Sequence, residues 1–411
     1  MSEYIQKIGI IDESRPDENR TPLVPVHIKK LLKKYSSMKI IVQPSSKRCF
    51  SDQEYADSGA VIKDDLSECD IIMGVKEILP ELLINSKIYM FFSHTSKIQS
   101  DNSAAAQGTP GMDKKELLFE ILKKKITLID YENLRDKTSK RYLGFGRFAG
   151  IVGCYNSLNL YLESINEKVM ERAYILNSYE KLKSSIRSKD FKDAKIILTG
   201  DGRVTKGAIE YLEYTNIKKI SEKDFINYNK SNPVYCNLPT SSYVKKLNGN
   251  SFDLQDFIKN PKNYVSQLEN YLPFANLLIS AHYWDPKSPK LFDINNLSKF
   301  KQLMVIGDIT CDINGSIPTT IRASTIKEPN YYIDKKQFKE INKLQNGLAI
   351  MAVDNLPSEL PKESSTEFGD GIVEEIIPFL INDDGRIKKA TITSNGKFCS
   401  SYEYLYNYIN S

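Results

Sequence analysis

Residues 196–212 read IILTGDGRVTKGAIEYL, which is a short apolar run, a glycine-rich turn and then a pattern of helical period. A strand, a Gly-x-Gly turn and a helix in this order form a phosphate-binding corner, because glycines let backbone amides approach a pyrophosphate and the helix start presents N–H groups. The third glycine of G-x-G-x-x-G is replaced by Thr205, and Gly207 follows two positions later. The stretch indicates a dinucleotide site, and its alternative interpretation is an ordinary strand-to-helix turn.

The length and composition of the chain fit two globular domains. It has 411 residues, of which 41% are hydrophobic and 27% are charged, and its net charge is +5. A chain of this length exceeds the usual size of one compact core. Its lysines are scattered, so nucleic-acid binding is not indicated. Neither a secretion signal nor an apolar run of membrane-spanning length is found, and we expect a cytoplasmic protein without a membrane partner.

The cysteine and histidine content indicates whether metal sites or disulfides are to be expected. Six cysteines lie far apart and form no C-x-x-C pair, which predicts neither structural zinc nor a disulfide scaffold, but reduced and mostly buried thiols. The sequence contains no evident cluster of metal ligands, and no metal is predicted. Of the three histidines, His27 lies early in a predicted helix and is expected to be structural.

Apolar runs alternate with helical patterns through the first 150 residues. Strands are predicted at 7–11, 39–43, 60–62, 70–75, 88–92 and 126–130, and helices at 26–35, 52–58 and 114–124. Strands this apolar, alternating with helices, predict a sheet that is covered on both faces. The helical pattern at 149–186 is expected to bridge two lobes.

A second set of strands begins at 195–199, directly before the glycine turn. Further strands are predicted at 217–220, 233–236, 277–280 and 303–307, and a tail strand at 349–355. The segment 217–220 is expected to be the second strand of a mononucleotide-binding half. A final helical stretch at 367–380 is expected to return to the first domain.

These patterns predict an α/β fold class, with two Rossmann-like doubly wound domains and an active-site cleft between them. Residues 1–150, completed by about 350–411, are expected to form the substrate domain. Residues 151–349 are expected to form the dinucleotide-binding domain.

Four polar patches directly follow predicted strands of the first domain. They are Glu18 with Arg20, Lys76 with Glu77, His94 with Lys97, and Glu132 with Arg141. Each patch taken alone is also explained as a solvated loop. Because all four share the same placement at strand ends, they predict a common cleft.

The residue types in these patches suit proton transfer and carboxylate binding. Lys76 leaves the end of the apolar run IIMGV, where partial burial would lower its pKa and Glu77 would raise it. His94 follows IYMFFS in the same way, and its alternative role is a hydrogen-bonded structural one. Arg20 and Arg141 are candidates for substrate carboxylates, because a guanidinium bonds both carboxylate oxygens.

Polar residues at strand ends of the second domain predict cofactor contacts. Arg203 follows the Gly-x-Gly pair and could meet a pyrophosphate, or it is an exposed residue at a helix start. Asp308 ends LMVIGD and could orient ribose, nicotinamide or substrate. An acidic residue directly after the second strand would favour NAD, but Ser221 stands there, with Glu222 next. The choice between NAD and NADP therefore stays open.

Nine stretches extend over nearly the whole chain in one order: ESRPDENRTPLVP, GVKEILPELL, MFFSHTSKIQ, IDYENL, GFGRFAGIVG, LTGDGRVTKGA, SAHYWDPKSPKLF, GDITCDINGSI and MAVDNLPSELPKESS. In sequence and order they resemble saccharopine dehydrogenase of the lysine-forming type and the related lysine-ketoglutarate reductase domain. Both belong to the wider alanine dehydrogenase and transhydrogenase group.

The resemblance implies a reversible, nicotinamide-dependent interconversion of saccharopine with L-lysine and 2-oxoglutarate. It implies Lys76 and His94 as the acid–base pair, with Glu77 moderating the charge of the site. The substrate-binding residues implied by it are Arg20 and Arg141, with Glu18, Lys97 and Glu132 lining the cleft. The residues implied for NAD or NADP are Gly200, Gly202, Arg203 and Val204, with Asp308 at the nicotinamide end.

This chemistry is consistent with the residue types. Saccharopine is a secondary amine, and its oxidation produces an imine that water must attack, so the protein has to shuttle protons and bind three carboxylates. Two alternatives remain: an amino-acid dehydrogenase of the same fold, of the alanine or opine type, and a non-catalytic metabolite-binding relative, which Thr205 motivates. The sequence does not indicate the oligomeric state.

Overall fold

The protein consists of two compact units, each with its own sheet. The computed structural model describes residues 6–96, 109, 111–342 and 347–410. Unit 1 comprises Met1–Phe145 and Pro361–Ser411, and unit 2 comprises Gly146–Leu360. The units therefore divide at 145/146 and 360/361, where the sequence analysis expected boundaries near 150 and 350.

The N-terminal part of unit 1 alternates strands with helices. The strands are β1 (Lys7–Ile10), β2 (Lys39–Val42), β3 (Val61–Ile62), β4 (Ile71–Met73), β5 (Ile88–Phe91) and β6 (Thr127–Asp130). The helices are α1 (Pro25–Lys34), α2 (Asp52–Ala56) and α3 (Lys114–Lys123). Pro25 suits the first turn of α1, where its missing N–H costs no bond. Asp113 caps α3 by accepting the N–H of Lys115 at 2.8 Å.

Unit 2 is built around a long buried helix and a second sheet. Its helices are α4 (Gly146–Ser164), α5 (Ala173–Leu176), α6 (Tyr179–Ile186), α7 (Arg203–Leu212), α8 (Glu222–Ile226), α9 (Thr240–Tyr243) and α10 (Leu254–Lys259). Its strands are β7 (Lys195–Thr199), β8 (Lys218–Lys219), β9 (Val234–Leu238), β10 (Val244–Lys246), β11 (Tyr264–Ser266), β12 (Leu277–Ser280), β13 (Val305–Asp308), β14 (Asn330–Asp334), β15 (Glu340–Ile341) and β16 (Gly347–Met351).

The chain returns to unit 1 after Leu360. The returning helices are α11 (Pro361–Gly371), α12 (Ile377–Ile381), α13 (Arg386–Ala390) and α14 (Leu405–Asn410), and one π-helical turn at Ile372–Ile376 joins the first two. The strands β17 (Thr391–Ser394) and β18 (Lys397–Phe398) form a hairpin that the sequence analysis did not predict. The hairpin adds to β6 as an antiparallel edge.

Both sheets are mostly parallel, as predicted. Unit 1 has the order β18-β17-β6-β5-β4-β1-β2-β3, and unit 2 has β15-β14-β16-β13-β12-β7-β9-β8. Apolar clusters cover both faces of each sheet: in unit 1, for example, Ile71 and Met73 enter one cluster and Ile72 enters the other. The α/β fold class with two parallel-rich sheets is confirmed.

One prediction about unit 2 is confirmed and one was wrong. The strand predicted at 217–220 is present as β8, which pairs with β9 at the sheet edge, and β9 lies beside β7. Both residues of β8 are exposed lysines, which suit an edge, whereas β9 is mostly buried. The helix predicted for 149–186 is three helices, because Asn166 and Asn177 adopt left-handed backbone angles that interrupt it.

In the part of the chain that the structure describes, none of the helices is both long and apolar enough to cross a membrane. The cytoplasmic location stays a prediction.

Candidate functional site

The buried Glu77 and the half-buried His94 form a pair beyond the carboxyl ends of β4 and β5. The Nδ1 atom of His94 lies 2.6 Å from Oε1 of Glu77, whose other oxygen accepts the N–H and hydroxyl of Thr109 at 3.0 Å each. Glu77 is fully buried, which opposes its ionisation, but His94 and Lys76 hold its pKa down at about 2. Glu77 therefore carries the negative charge between two candidate proton-transfer groups.

The backbone around His94 is fixed in an unusual conformation. His94 has a φ of 51°, in the left-handed region, and its ring stacks on Phe92 with 6.2 Å between centroids. The preceding residue, Ser93, donates both its N–H, at 3.1 Å, and its hydroxyl to Asp130 Oδ2. Such backbone strain persists only where neighbouring contacts hold it. Asp130 provides such contacts.

Lys76 is surrounded by charges of both signs. Burial is the main effect on its pKa and lowers it; Glu77 and Glu18 raise it, and Arg20 lowers it further. The net shift is downward, which is the direction that proton exchange near neutral pH requires.

Two carboxylate–arginine pairs accompany this lysine. Arg20 bonds Glu18 through Nε at 2.7 Å and through its terminal nitrogen at 2.5 Å, and its guanidinium lies 4.1 Å from the ring centre of Phe145. Both members of this pair are buried. Arg141 donates to Glu132, which is also buried. In each pair the carboxylate holds the guanidinium in place.

The structure brings most of the predicted substrate-side residues into one electrostatic neighbourhood of unit 1. Glu18, Arg20 and Glu77 act on Lys76, and His94 acts on Glu77. Glu132 is connected to them through the buried Lys114, whose pKa burial lowers while Glu77 and Glu132 raise it. Lys97 lies outside the described residues.

Four buried residues of this neighbourhood were not predicted: Glu13, Arg15, Lys114 and Asp130. Asp130 ends an apolar run and Glu13 follows one, as Lys76 does. A search for polar residues at the ends of predicted strands could therefore have found both. Lys114 opens α3 after a polar loop, and nothing local distinguishes it from the other lysines of the chain.

The glycine turn of unit 2, residues 200–202, has the geometry of a phosphate-binding corner. Gly200 has a φ of 98°, and a Cβ there would come within 2.9 Å of backbone atoms of Ala281 and His282. Gly202 precedes α7, and a Cβ on it would meet no described atom within 4 Å. No described side chain caps the start of α7. A phosphate could therefore approach the helix N-terminus at Gly202, so these residues fit a dinucleotide.

Thr205 lies in the first turn of α7 and stabilises the glycine turn before it. Its hydroxyl donates to the carbonyl oxygens of Thr199 at 3.3 Å and Ala281 at 3.1 Å, which ties α7 to the ends of β7 and β12. Close helix packing is instead provided by Gly207, where a Cβ would lie 2.0 Å from the carbonyl oxygen of Arg147. The non-catalytic alternative, which Thr205 motivated, loses its main argument.

The remaining predicted cofactor residues differ in how far they are buried. Arg203 and Val204 form the first turn of α7 and are half-buried. Asp308 is buried, which raises its pKa, and it accepts the hydroxyls of Thr310 at 2.5 Å and Thr320 at 2.6 Å. Its expected place beside the nicotinamide stays a prediction.

His282 was not predicted to belong to this corner. It lies after β12, beside Gly200, and its Nδ1 is 2.9 Å from the hydroxyl of Thr199. Burial lowers its pKa to about 4, so the ring is neutral at physiological pH.

The comparisons with known proteins agree with this architecture. Residues 9–152 match the family described as alanine dehydrogenase/PNT, N-terminal domain. Among solved structures, an L-alanine dehydrogenase has a TM-score of 0.63 at 14% identity, covering 98% of this chain and 99% of that one. A transhydrogenase from Sinorhizobium meliloti has a TM-score of 0.60 at 14% identity, covering 96% and 100%. At this identity the two structures show the fold alone.

Curated relatives come from lysine metabolism. The alpha-aminoadipic semialdehyde synthase of Arabidopsis thaliana is 30% identical over 97% of this chain and 41% of that protein. The mitochondrial one of Rattus norvegicus is 28% identical over 94% and 46%. This chain thus spans less than half the length of these synthases. The saccharopine dehydrogenase (NAD(+), L-lysine-forming) of Emericella nidulans is 22% identical over 93% of this chain and 94% of that protein. The chain is therefore similar to the alanine dehydrogenase/PNT family over residues 9–152, and to alpha-aminoadipic semialdehyde synthases and saccharopine dehydrogenases over nearly its whole length.

Proposed function

We propose that this chain is an oxidoreductase of the saccharopine dehydrogenase type, which interconverts saccharopine with L-lysine and 2-oxoglutarate. The single observation that carries the proposal is the arrangement of the half-buried Lys76 and His94 around the buried Glu77, beside an arginine that is held by a carboxylate. A lysine and a histidine that share one carboxylate are suited to the several proton transfers of carbon–nitrogen bond cleavage. NAD or NADP would accept or supply the hydride when bound.

The geometry of His94 suggests its role. The ionised Glu77 favours a proton on Nδ1, and in the neutral ring with that tautomer Nε2 is the acceptor. The side chain is 17% exposed, so a water molecule can reach the ring. We assign His94 the activation of water at the imine carbon, and the proton that it takes up is stabilised by Glu77.

Lys76 is assigned the protons of the substrate nitrogen. The downward shift of its pKa is the direction that proton exchange with an amine near neutral pH requires, and the charges of Glu18 and Glu77 limit how far that pKa falls. Arg20 and Arg141 are assigned the substrate carboxylates. Glu18 and Glu132 orient their guanidinium planes, and Lys97 is proposed to join the same binding site.

The cofactor is assigned to the glycine turn of unit 2. Gly200 and Gly202 allow close backbone approach, and Arg203 and Val204 contribute the first turn of α7. Asp308 is proposed to lie towards the nicotinamide end. The arrangement accommodates the diphosphate that NAD and NADP share, and it leaves the choice between them to experiment.

Turnover with defined substrates tests this proposal. Reduced nicotinamide is measured by absorbance with saccharopine and with lysine plus 2-oxoglutarate, using each cofactor; alanine with each oxidised cofactor tests the alternative dehydrogenase. Lys76→Met is expected to lower kcat by about 100-fold or more, the usual contribution of a general acid–base group. The exposed Lys63→Met is the matched control. Turnover of alanine but not saccharopine, or a Lys76→Met enzyme as fast as Lys63→Met, would contradict the proposal.

A further inference from the structure

Glu13 lies directly behind the backbone of Lys76. It is only 4% exposed, and its two carboxyl oxygens accept the N–H groups of Val75 at 2.5 Å and Lys76 at 2.9 Å. The approach depends on Gly74, because a Cβ at that position would lie 2.7 Å from Ile11 Cδ1 and 3.3 Å from the carboxyl oxygen of Glu13. The buried Glu13 side chain, from the loop after β1, therefore holds the backbone N–H groups of Val75 and Lys76, which follow β4.

Holding these N–H groups determines where the lysine side chain begins. A lysine stem has several rotatable bonds, so the position of its ammonium group depends on a fixed Cα as well as on its neighbours. Backbone support of this kind matters for catalysis, because displacing a reacting group by about 1 Å can cost about 100-fold in rate. Glu13 does not have to touch the substrate to act in this way.

The surroundings of Glu13 have opposing effects on its pKa. Burial and the nearby Glu18 raise its pKa to about 8, against the opposing effect of its two N–H bonds and of Arg20. Lys47 donates to the backbone carbonyl oxygen of Glu13. Burial, with the charge of Glu13, raises the pKa of the nearby Tyr131 hydroxyl. A protonated carboxyl group is a poorer acceptor for two N–H groups than a carboxylate is, so the support weakens as the group gains its proton.

We propose that Glu13 is a positioning residue for Lys76, a buried carboxyl group that holds the backbone of the proton-transfer lysine through the N–H groups of Val75 and Lys76. The inference rests on the proposed function, in which Lys76 exchanges protons with the substrate nitrogen.

Glu13→Gln tests the proposal, because the amide keeps the size of the side chain and replaces one acceptor oxygen by a donor. The matched control is Asp70→Asn: Asp70 accepts the N–H groups of Gln6 and Lys7, both at 2.8 Å, directly before β4 in the same sheet. With saccharopine, Glu13→Gln is expected to lower kcat about 10- to 100-fold and to change KM by less than about threefold. Glu13→Asp, which keeps the carboxyl group on a shorter side chain, is expected to recover part of the loss.

A second measurement does not depend on turnover. The rate at which acetic anhydride modifies Lys76 is followed against pH by mass spectrometry, and the midpoint reports the pKa of Lys76. We expect this midpoint to shift in Glu13→Gln and to stay in place in Asp70→Asn. A wild-type protein that turns over none of the substrates would contradict the proposed function, while the labelling midpoints would still test the role of Glu13.

Two outcomes would overturn the inference. One is an unchanged labelling midpoint for Lys76 in Glu13→Gln; the other is a kcat loss that Asp70→Asn reproduces. If Glu13→Gln does not fold, Glu13→Asp becomes the test. An unchanged kcat and an unchanged labelling midpoint in Glu13→Asp would then reject the positioning role of Glu13.

Discussion

At the scale of single residues, Glu77 has a different partner from the one that its sequence position suggests. It follows Lys76 directly, yet its carboxylate bonds the imidazole of His94 at 2.6 Å and acts on Lys76 only through its charge. This arrangement selects the tautomer of the histidine, while the lysine keeps a lowered pKa. The negative charge of the buried Glu77 can therefore act on both His94 and Lys76, although the two are proposed to transfer different protons.

Glu359 is a second buried carboxyl group, in unit 2 and outside the proposed site. Burial raises its pKa from 4.5 to about 7, although Arg172 and Asn156 oppose the shift. Asn156 donates to one of its oxygens at 2.7 Å. A group whose folded-state pKa lies above its unfolded value stabilises the protein at low pH, and that contribution is lost as pH rises from about 4.5 through 7.

We therefore expect Glu359→Gln to gain stability relative to wild type as pH rises from 5 to 8. The relative change in the free energy of unfolding is at most about 3 kcal/mol, since one pKa unit corresponds to ~1.4 kcal/mol. Urea unfolding at several pH values measures it, with the exposed Glu328→Gln as control. A difference between variant and wild type that does not change with pH would show that Glu359 does not titrate in this range.

At the scale of elements, the contact between α4 and α7 depends on glycine. A Cβ on Gly150 would lie 1.9 Å from the carbonyl oxygen of Val204, and one on Gly207 would lie 2.0 Å from that of Arg147. The two helix backbones thus pack too closely for any side chain at these positions. Since α7 begins at the glycine turn, this packing also positions the proposed phosphate site.

Two glycine substitutions separate packing from cofactor binding. Gly150→Ala is expected to lower the free energy of unfolding by about 3 kcal/mol, because the methyl group overlaps a backbone oxygen. Gly202→Ala has open space around the new methyl group and is expected to cost less than about 1 kcal/mol. It should nevertheless weaken NADH binding at least about tenfold, because the methyl group occupies the phosphate approach.

Denaturant unfolding and NADH fluorescence titration measure the two effects. Equal NADH affinity in Gly202→Ala and wild type would remove the glycine turn as the cofactor site. A Gly150→Ala protein as stable as wild type would contradict the packing argument.

At the scale of the whole molecule, the residues proposed for proton transfer and substrate binding lie in one unit, and those proposed for cofactor binding lie in the other. Unit 1 contains the lysine, histidine and arginine candidates, and unit 2 contains the glycine turn. The cofactor alone is expected to slow amide hydrogen exchange around β7 and the first turn of α7, because ligand binding lowers the population of locally open states.

Hydrogen exchange with mass spectrometry, with NADH and without substrate, measures this protection. Peptides that cover β10 and β11, which form a separate two-stranded sheet of unit 2, provide the internal control and should change little. Protection of this small sheet but not of the glycine turn would contradict the assignment.

Much of the fold was predictable, because strand and turn signals are local. The strands β1, β2, β5, β6, β7 and β12 lie within a residue or two of their predicted bounds. The order of strands was less predictable: β8 follows α7 in sequence, but its exposed lysines leave it at the edge, and the buried β9 pairs with β7. The positions of Lys76 and His94 at strand ends could be read locally, whereas their connection through Glu77 could not.

By itself, the sequence determined the α/β class, the glycine turn and the residues at strand ends, since apolar runs, glycines and helix starts express their preferences over a few neighbouring residues. Only the tertiary structure decided which strands pair and which side chains share a charge. Glu13 and Lys76 are 63 positions apart, and Glu77 and His94 are 17 apart. Such contacts form only when the sheet aligns the carboxyl ends of its strands, so their hydrogen bonds and pKa shifts are properties of the assembled fold.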